Sequence, residues 1–306
     1  MKDYYFCVDV GGTDIKGGIV AKDNSILFTE KVKTNKSSNG KDLEDCIFEL
    51  IKKLELTSGL SSKNALGLGI GFPGLVDGKT GTLKFIPSLN LVDYNIVKNL
   101  KKTLEIPVKI ANDAELALLA EQTLGAGKGY KNFALLTLGT GVGCGLVING
   151  KTLRSTLPYS CEFGHNYIED YSNRLDKFVS TSALISQTQK AMQENPKSKM
   201  WSTYSIETVS GKTVFDYKET DETAKTVFET FIKNLGIQIV GLCNIFSPDI
   251  IVIGGGISSQ GEALTKPLED YVNNNMFLKI IGKKIKITSA KFLNNAGFLG
   301  ARCLFN

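Results

Sequence analysis

Residues 4–33 read YYFCVDVGGTDIKGGIVAKDNSILFTEKVK, and residues 133–153 read FALLTLGTGVGCGLVINGKTL. The first stretch alternates in a strand-like way around two breaks, GGTD and KDN, and so predicts strand, turn, strand, turn, strand. A dinucleotide fingerprint would run from a strand through glycines into a helix. Here Ile15, Ile19 and Val20 sit among glycines without helical spacing. Placing Gly139 on Gly11 superposes Asp9 on Thr137, Val10 on Leu138, Gly17 on Gly145 and Ile19 on Val147. Two such units, one near the start of each half, imply a duplicated architecture.

Helical patterns follow each meander. KDLEDCIFELIKKLELTSG places Leu43, Ile47, Leu50, Ile51 and Leu54 on one face and stops at Gly59. DAELALLAEQTLG starts after the strand-like IPVKIA, and a long apolar-faced helix is expected over about 222–246, closed by Pro248. DIIVIGGG reads as a buried strand entering a triple-glycine turn, and NAGFLGARCLF as a terminal helix with an Asn at its start. Residues 167–215, polar and Ser/Thr-rich, read as a loop-and-helix excursion around a ligand mouth. Strands alternating with helices in two similar halves make the chain α/β.

The 306 residues are long for one core and favour two lobes. A net charge of +5 is spread along the chain rather than clustered, which argues against nucleic acid as a partner. Asp3 and Asp9 interrupt any signal-peptide core, and no apolar run is long enough to span a bilayer, so a cytoplasmic protein without a membrane partner is expected. The six cysteines form no CxxC pair and read as reduced, buried thiols.

A triphosphate needs unhindered backbone N–H groups that converge on its oxygens. Gly11, Gly12 and Thr13 offer this on the first hairpin, and Gly139, Thr140, Gly141 and Gly143 on the second. Gly254, Gly255 and Gly256 offer a flat surface on which an adenosine can rest, and Lys16 joins the nucleotide-binding set. Taken singly, each is as well read as a plain tight turn; three in a duplicated frame point to a nucleotide. Asp9 reads as a carboxylate holding Mg²⁺ through water, or as the polar end of a strand. Asp113, at a strand-to-helix junction, reads equally as a helix cap and as a base aimed into a cleft. His165 is the only histidine, and a lone histidine is more often structural.

The segments VDVGGTDIKGGIV, GIGFPGLVD, IANDAELALLAE, LTLGTGVGCGLVINGK, EFGH, IVIGGGIS and NNAGFLGA resemble, in order, the motifs of the ROK family of bacterial sugar kinases over nearly the whole chain. The resemblance implies an actin-like (ribonuclease H-like) duplicated two-lobe fold with the active-site cleft between lobes. Residues 1–114 would form the N-terminal lobe, joined by the C-terminal helix 295–306, and residues 115–294 the second. It also implies transfer of the ATP γ-phosphate to the 6-hydroxyl of an aldohexose, Mg²⁺ as cofactor, and often a homodimer. By the same resemblance Asp113 is the general base, Asn112 holds a sugar hydroxyl, Glu162 and His165 meet ring hydroxyls, and Gly74 and Asn90 line the sugar pocket.

Two departures bear on these expectations. Many relatives follow ExGH with a CxCGxxGCxE segment on a structural zinc, whereas NYIEDYSNRLDKFVSTSALI follows His165 here. One histidine with a distant Cys161 cannot supply four ligands, so no zinc is expected. LDKFVSTSAL resembles the family's LEAYASGPAL and puts Asp176, a shorter carboxylate, where a sugar-contacting Glu usually stands. Some members are repressors with a helix-turn-helix arm before the first strand; this chain starts directly on that strand, which speaks against that reading. Glucose is the leading sugar. N-acetylmannosamine and β-glucosides are the nearest alternatives, with an actin-like structural ATPase or a sugar sensor as non-kinase rivals.

Overall fold

A computed structural model describes residues 3–35, 39–153, 161–168 and 172–306. Strands β1 (Tyr4–Val10), β2 (Asp14–Ala21) and β3 (Ile26–Lys33) form the expected meander. Helix α1 (Gly40–Ser58) follows, its first turn capped by Asn39, whose Oδ1 accepts from the Lys41 N–H at 3.0 Å. It buries the apolar face read from the sequence. Then come β4 (Leu68–Phe72), the short strands β5 (Leu75–Asp77), β6 (Thr82–Ile86) and β7 (Leu91–Tyr94), helix α2 (Ile96–Leu100), β8 (Val108–Asn112) and α3 (Asp113–Leu124).

The second half opens with β9 (Phe133–Leu138), β10 (Val142–Ile148) and β11 (Lys151–Thr152). The stretch read as loop and helix, 167–215, holds α4 (Asp176–Val179), α5 (Thr181–Glu194) and the start of α6 (Thr213–Tyr217), with α5 started by the Ser180 hydroxyl, which accepts from the Ala183 N–H at 3.0 Å. Helix α7 (Glu222–Phe246) is capped by Asp221, and β12 (Ile250–Gly254), α8 (Glu262–Asn275) and β13 (Lys286–Ser289) follow. The last helix is α9 (Ala296–Cys303); Asn295 precedes it but makes no side-chain cap bond.

The two large sheets have one plan. In the first the order is β3-β2-β1-β4-β8, and in the second β11-β10-β9-β12-β13. Each central strand pairs antiparallel with its hairpin partner and parallel with the strand on its other side. The duplication read from the glycine hairpins is therefore a duplication of whole sheets. One core gathers Phe6, Ile47, Leu50 and Ile70, the other Leu136, Phe231, Leu235 and Ile251. No helix among the described residues is long and apolar enough to cross a membrane.

Among the described residues the chain divides into two compact units. One runs to Leu124 and takes in Asn294–Asn306; the other holds Gly125–Leu153 and Cys161–Leu293. The unit runs beyond residue 114 because α3 packs along α9. That packing is backbone-close. A Cβ at Gly300 would strike the Leu116 carbonyl oxygen, and one at Gly69 the Ala301 carbonyl oxygen.

Gly300→Ala should therefore lower stability by about 1–3 kcal/mol through overpacking, despite the roughly 1 kcal/mol that Ala gains over Gly as a helix former. In urea the midpoint should fall with an unchanged slope. A midpoint at or above wild type would show that α9 and α3 pack more loosely than this.

Candidate functional site

In the first unit Asp9 stands near the end of β1, opposite Lys16 of β2 and beside Gly71 of β4. Its half-buried carboxylate has no room on one side: a Cβ at Gly297 would lie 2.9 Å from Oδ2. Burial pushes the Asp9 carboxyl above the usual range, and Lys16 pulls it back. The turn beyond is tightly held. The Gly11 N–H donates to the Asp14 carbonyl at 3.0 Å, and the Thr34 hydroxyl donates to the Gly11 carbonyl at 2.8 Å. Thr13 is exposed at the tip.

Of the residues in this unit expected to meet a sugar, Gly74, Asn112 and Asp113 lie together at the start of α3. Asn112 Oδ1 accepts from the N–H groups of Ala114 (2.8 Å) and Glu115 (3.3 Å), and its Nδ2 donates to the Gly74 carbonyl at 2.9 Å. Asn112 is thus the cap of α3, and the amide expected to hold a sugar hydroxyl is largely committed to the backbone. Asp113 is the first residue inside the helix, and its Oδ1 also accepts from the Ala114 N–H, at 2.8 Å. Gly74 has φ +90°, and a Cβ there would strike the Phe85 carbonyl, so only glycine suits the position. Asn90 is exposed, with φ +50°, and ends the turn Pro87–Leu89. Ser88 of that turn lies 3.5 Å from where a Gly12 Cβ would be. The turn at Gly11 and Gly12 and the Asn90 turn are therefore neighbours.

In the second unit Gly139, Thr140 and Gly141 join β9 to β10, with Gly143 inside β10. The start of α5 braces this turn: the Thr181 hydroxyl donates to the Leu138 carbonyl at 2.8 Å, and the Ser182 N–H to the Gly139 carbonyl at 3.3 Å. The triple-glycine turn lies against the same place. Gly255 has φ +86°, and a Cβ there would strike the Leu138 carbonyl. Gly254 ends β12 beside Thr137, and Gly256 has open space where a Cβ would stand. Gly139 is equally open, so both turns leave room for a phosphate or a ribose to approach the backbone.

Glu162 and His165 flank a single turn, Phe163–His165, and both are exposed. The buried Gly164 presses that turn onto the Val142 carbonyl of β10. The chain then doubles back through an antiparallel bridge between Tyr167 and Arg174, which brings Asp176 to the same region. Asp176 lies beside the second phosphate turn, with Oδ2 3.8 Å from a Cβ position at Gly141. Both its oxygens are held by Arg174, through Nε at 2.8 Å and Nη2 at 2.6 Å. A sugar contact by Asp176 has to compete with this bidentate pair. Arg174 escaped the sequence reading, because an Arg two residues from an Asp in a polar loop carries no spacing signal.

All six cysteines are free, five of them buried and Cys161 half-buried. Cys161 is not isolated: its thiol is hydrogen-bonded with that of Cys144, which holds the Cys144 thiol well above its usual range, with burial adding to the effect. Among the described residues no three of His, Cys, Asp and Glu gather as a metal site.

Residues 5–306 match the ROK family, to which the chain therefore belongs. It is 30% identical to a glucokinase of Halalkalibacterium halodurans over 97% of this chain and 93% of that one. It is 25% identical to a xylose repressor of Caldicellulosiruptor bescii, over 90% of this chain and 71% of the repressor. Among solved structures, a ROK-family glucokinase from Streptomyces griseus in complex with glucose and AMPPNP superposes with a TM-score of 0.85 at 25% identity, covering 98% of each chain. The duplicated α/β sheets are thus those of the actin-like, two-lobed fold.

Because Asn112 supplies the cap, Asn112→Ala should cost about 0.5–2 kcal/mol of stability. Asp113→Asn, one residue further in, should change it by less than about 0.5 kcal/mol. Denaturant titration of both variants checks this; the reverse ranking would make Asp113 the cap.

Proposed function

We propose that this chain is an ATP-dependent sugar kinase that phosphorylates an aldohexose at its 6-hydroxyl, with glucose as the leading substrate. The observation that supports the reading is the start of α3, where Asn112 caps the helix, so that Asp113 is not required as its cap. Membership of a family that includes a glucokinase alike over nearly its whole length supports it.

Phosphoryl transfer asks mainly for positioning and charge neutralisation. In this reading the Asp113 carboxylate takes the proton of the sugar hydroxyl as that oxygen bonds to the γ-phosphorus. The bond from the γ-phosphorus to the bridging oxygen breaks, and ADP leaves with the electron pair. Gly11, Gly12, Thr13, Lys16, Gly139, Thr140, Gly141 and Gly143 would bind the phosphates. Gly254, Gly255 and Gly256 would carry the adenosine. Asp9 fits a hydrated Mg²⁺, since a single half-buried carboxylate suits a metal that keeps most of its water. Bound there, Mg²⁺ neutralises phosphate charge. Asn90, Gly74, Glu162 and His165 would surround the sugar, and Asn112 has one further amide hydrogen to offer it.

Sugar-dependent ADP release over a panel of hexoses, N-acetylmannosamine and β-glucosides tests the reading and ranks the substrates. Undiminished ATPase activity without any sugar would favour a structural ATPase. Sugar binding with no turnover would favour a sensor or repressor. Asp113→Asn should fold, bind sugar within a few-fold of wild type, and lose roughly 10²-fold or more in kcat. Intact turnover in that variant sinks the base assignment. Purified protein should also hold no stoichiometric zinc; about one zinc per chain surviving dialysis would contradict the reading of the segment after His165.

A further inference from the structure

The segment that carries Glu162 and His165 rests on β10 at two places. Val142 and Cys144 are alternate residues of that strand and turn their side chains to one face. Gly164 lies on Val142, where a Cβ would strike the carbonyl oxygen. Three residues earlier Cys161 lies on Cys144, thiol hydrogen-bonded with thiol. Both cysteines pack with the second core, but Cys144 is buried and Cys161 half-buried. Cys161 also has φ +67°, a left-handed conformation that residues with a Cβ seldom adopt. Its carbonyl accepts from the Phe163 N–H at 2.7 Å, and the Glu162 carbonyl accepts from the His165 N–H at 3.0 Å. The backbone at Cys161 thus sets where Glu162 and His165 stand.

We infer that Cys144 and Cys161 form a site of reversible oxidation, at which hydrogen peroxide joins the two thiols as a disulfide and displaces the Glu162–His165 turn. Cys161 is the thiol that solvent reaches, and a second thiol already lies against it. In that arrangement oxidation ends at a disulfide instead of running on to sulfinic acid. The Cys161 sulfur loses its proton and attacks a peroxide oxygen, the O–O bond breaks, and one water leaves with Cys161 as a sulfenic acid. The Cys144 sulfur then attacks the Cys161 sulfur, the S–O bond breaks, and the Cys144 proton leaves in a second water. Two thiols lose two electrons and two protons, and the peroxide is reduced to water. The hydrogen bond and burial hold Cys144 above the usual thiol range, which suits the second thiol and not the one oxidised first. Cys7 and Cys303 also lie near each other, but both are buried and neither has a left-handed backbone. Drawing two sulfurs from a hydrogen bond into a covalent bond shifts the Cys161 backbone toward β10, and Glu162 with it. The consequence for turnover rests on the reading of Glu162 and His165 as sugar contacts; the bond itself does not.

The test treats the reduced chain with hydrogen peroxide and maps its cysteines by mass spectrometry of unreduced peptides. Sugar-dependent ADP release is followed before treatment, after it, and after dithiothreitol. Wild type should lose two hydrogens as a Cys144–Cys161 disulfide. Its ADP release at subsaturating sugar should fall roughly tenfold or more and return with dithiothreitol. Cys161→Ser, with an unchanged circular-dichroism spectrum, should keep its activity through the same treatment. Cys144→Ala should gain oxygen at Cys161 instead of forming the bond. A wild type that stays reduced, or that gains oxygen at Cys161 without a disulfide, overturns the site. A disulfide that leaves ADP release unchanged, or an equal loss in Cys161→Ser, overturns the displacement of the turn. If the reduced chain releases no ADP with any sugar, the kinase reading fails, and peptide mapping still upholds or overturns the site.

Discussion

Backbone-level contact between α9 and the strands and helix that carry the first half of the site shapes everything around it. Gly69, Gly297 and Gly300 each stand where a methyl group would strike the Ala301 carbonyl, the Asp9 carboxylate or the Leu116 carbonyl. The last residues of the chain thus close over β1, β4 and α3. One consequence is electrostatic. Packing Gly297 against Asp9 strips water from that carboxylate and raises its affinity for a proton, so a positive partner gains more there than it would in water. Lys16 is one such partner, and a hydrated divalent cation would be another. The structural role of α9 and the proposed chemical role of Asp9 are therefore one arrangement.

Similar glycine contacts assemble each half of the site from distant segments. Gly12 meets Ser88, which sets the first phosphate turn against the Asn90 turn. Gly255 meets Leu138, which sets the triple-glycine turn against the second phosphate turn, and Gly141 meets Asp176. None of these contacts is made by a long side chain. The approach of Gly255 to Leu138 is backbone on backbone and leaves that turn little freedom.

The sheets and the long helices were legible in the sequence because their patterns are strong: alternation broken by glycines in β1, β2, β9 and β10, and a regular apolar face on α1 and α7. The small sheet of β5, β6 and β7 was not, since strands of three to five residues show no usable periodicity. Helix was expected somewhere in 167–215, but the bounds of α5 were hidden by its serines, threonines and glutamines, although Ser180 is an ordinary cap in a sensible place. The Arg174–Asp176 pair could not be foreseen because tertiary folding, not spacing, turns the two side chains toward each other. The glycine turns were legible as turns; which turn faces which was not.

The junction at residues 112 and 113 shows where sequence reasoning reaches its limit and what resolves it. Asn and Asp cap helices about equally well, so IANDAE allows either residue to be the cap. The register decides. Asn112 pairs with Phe72 as the last residue of β8, which leaves it in extended conformation with its side chain toward the helix amides and the Gly74 carbonyl. Asp113 is then already helical. Had the carboxylate been the cap, two amide bonds would have stabilised its ionised form and weakened it as a base. An amide carries no such penalty when it caps, and the carboxylate one step inside accepts from the Ala114 N–H. For a group proposed to accept a proton during turnover, that exchange of roles between two neighbouring residues gives the Glu115 amide to a neutral side chain and not to the carboxylate.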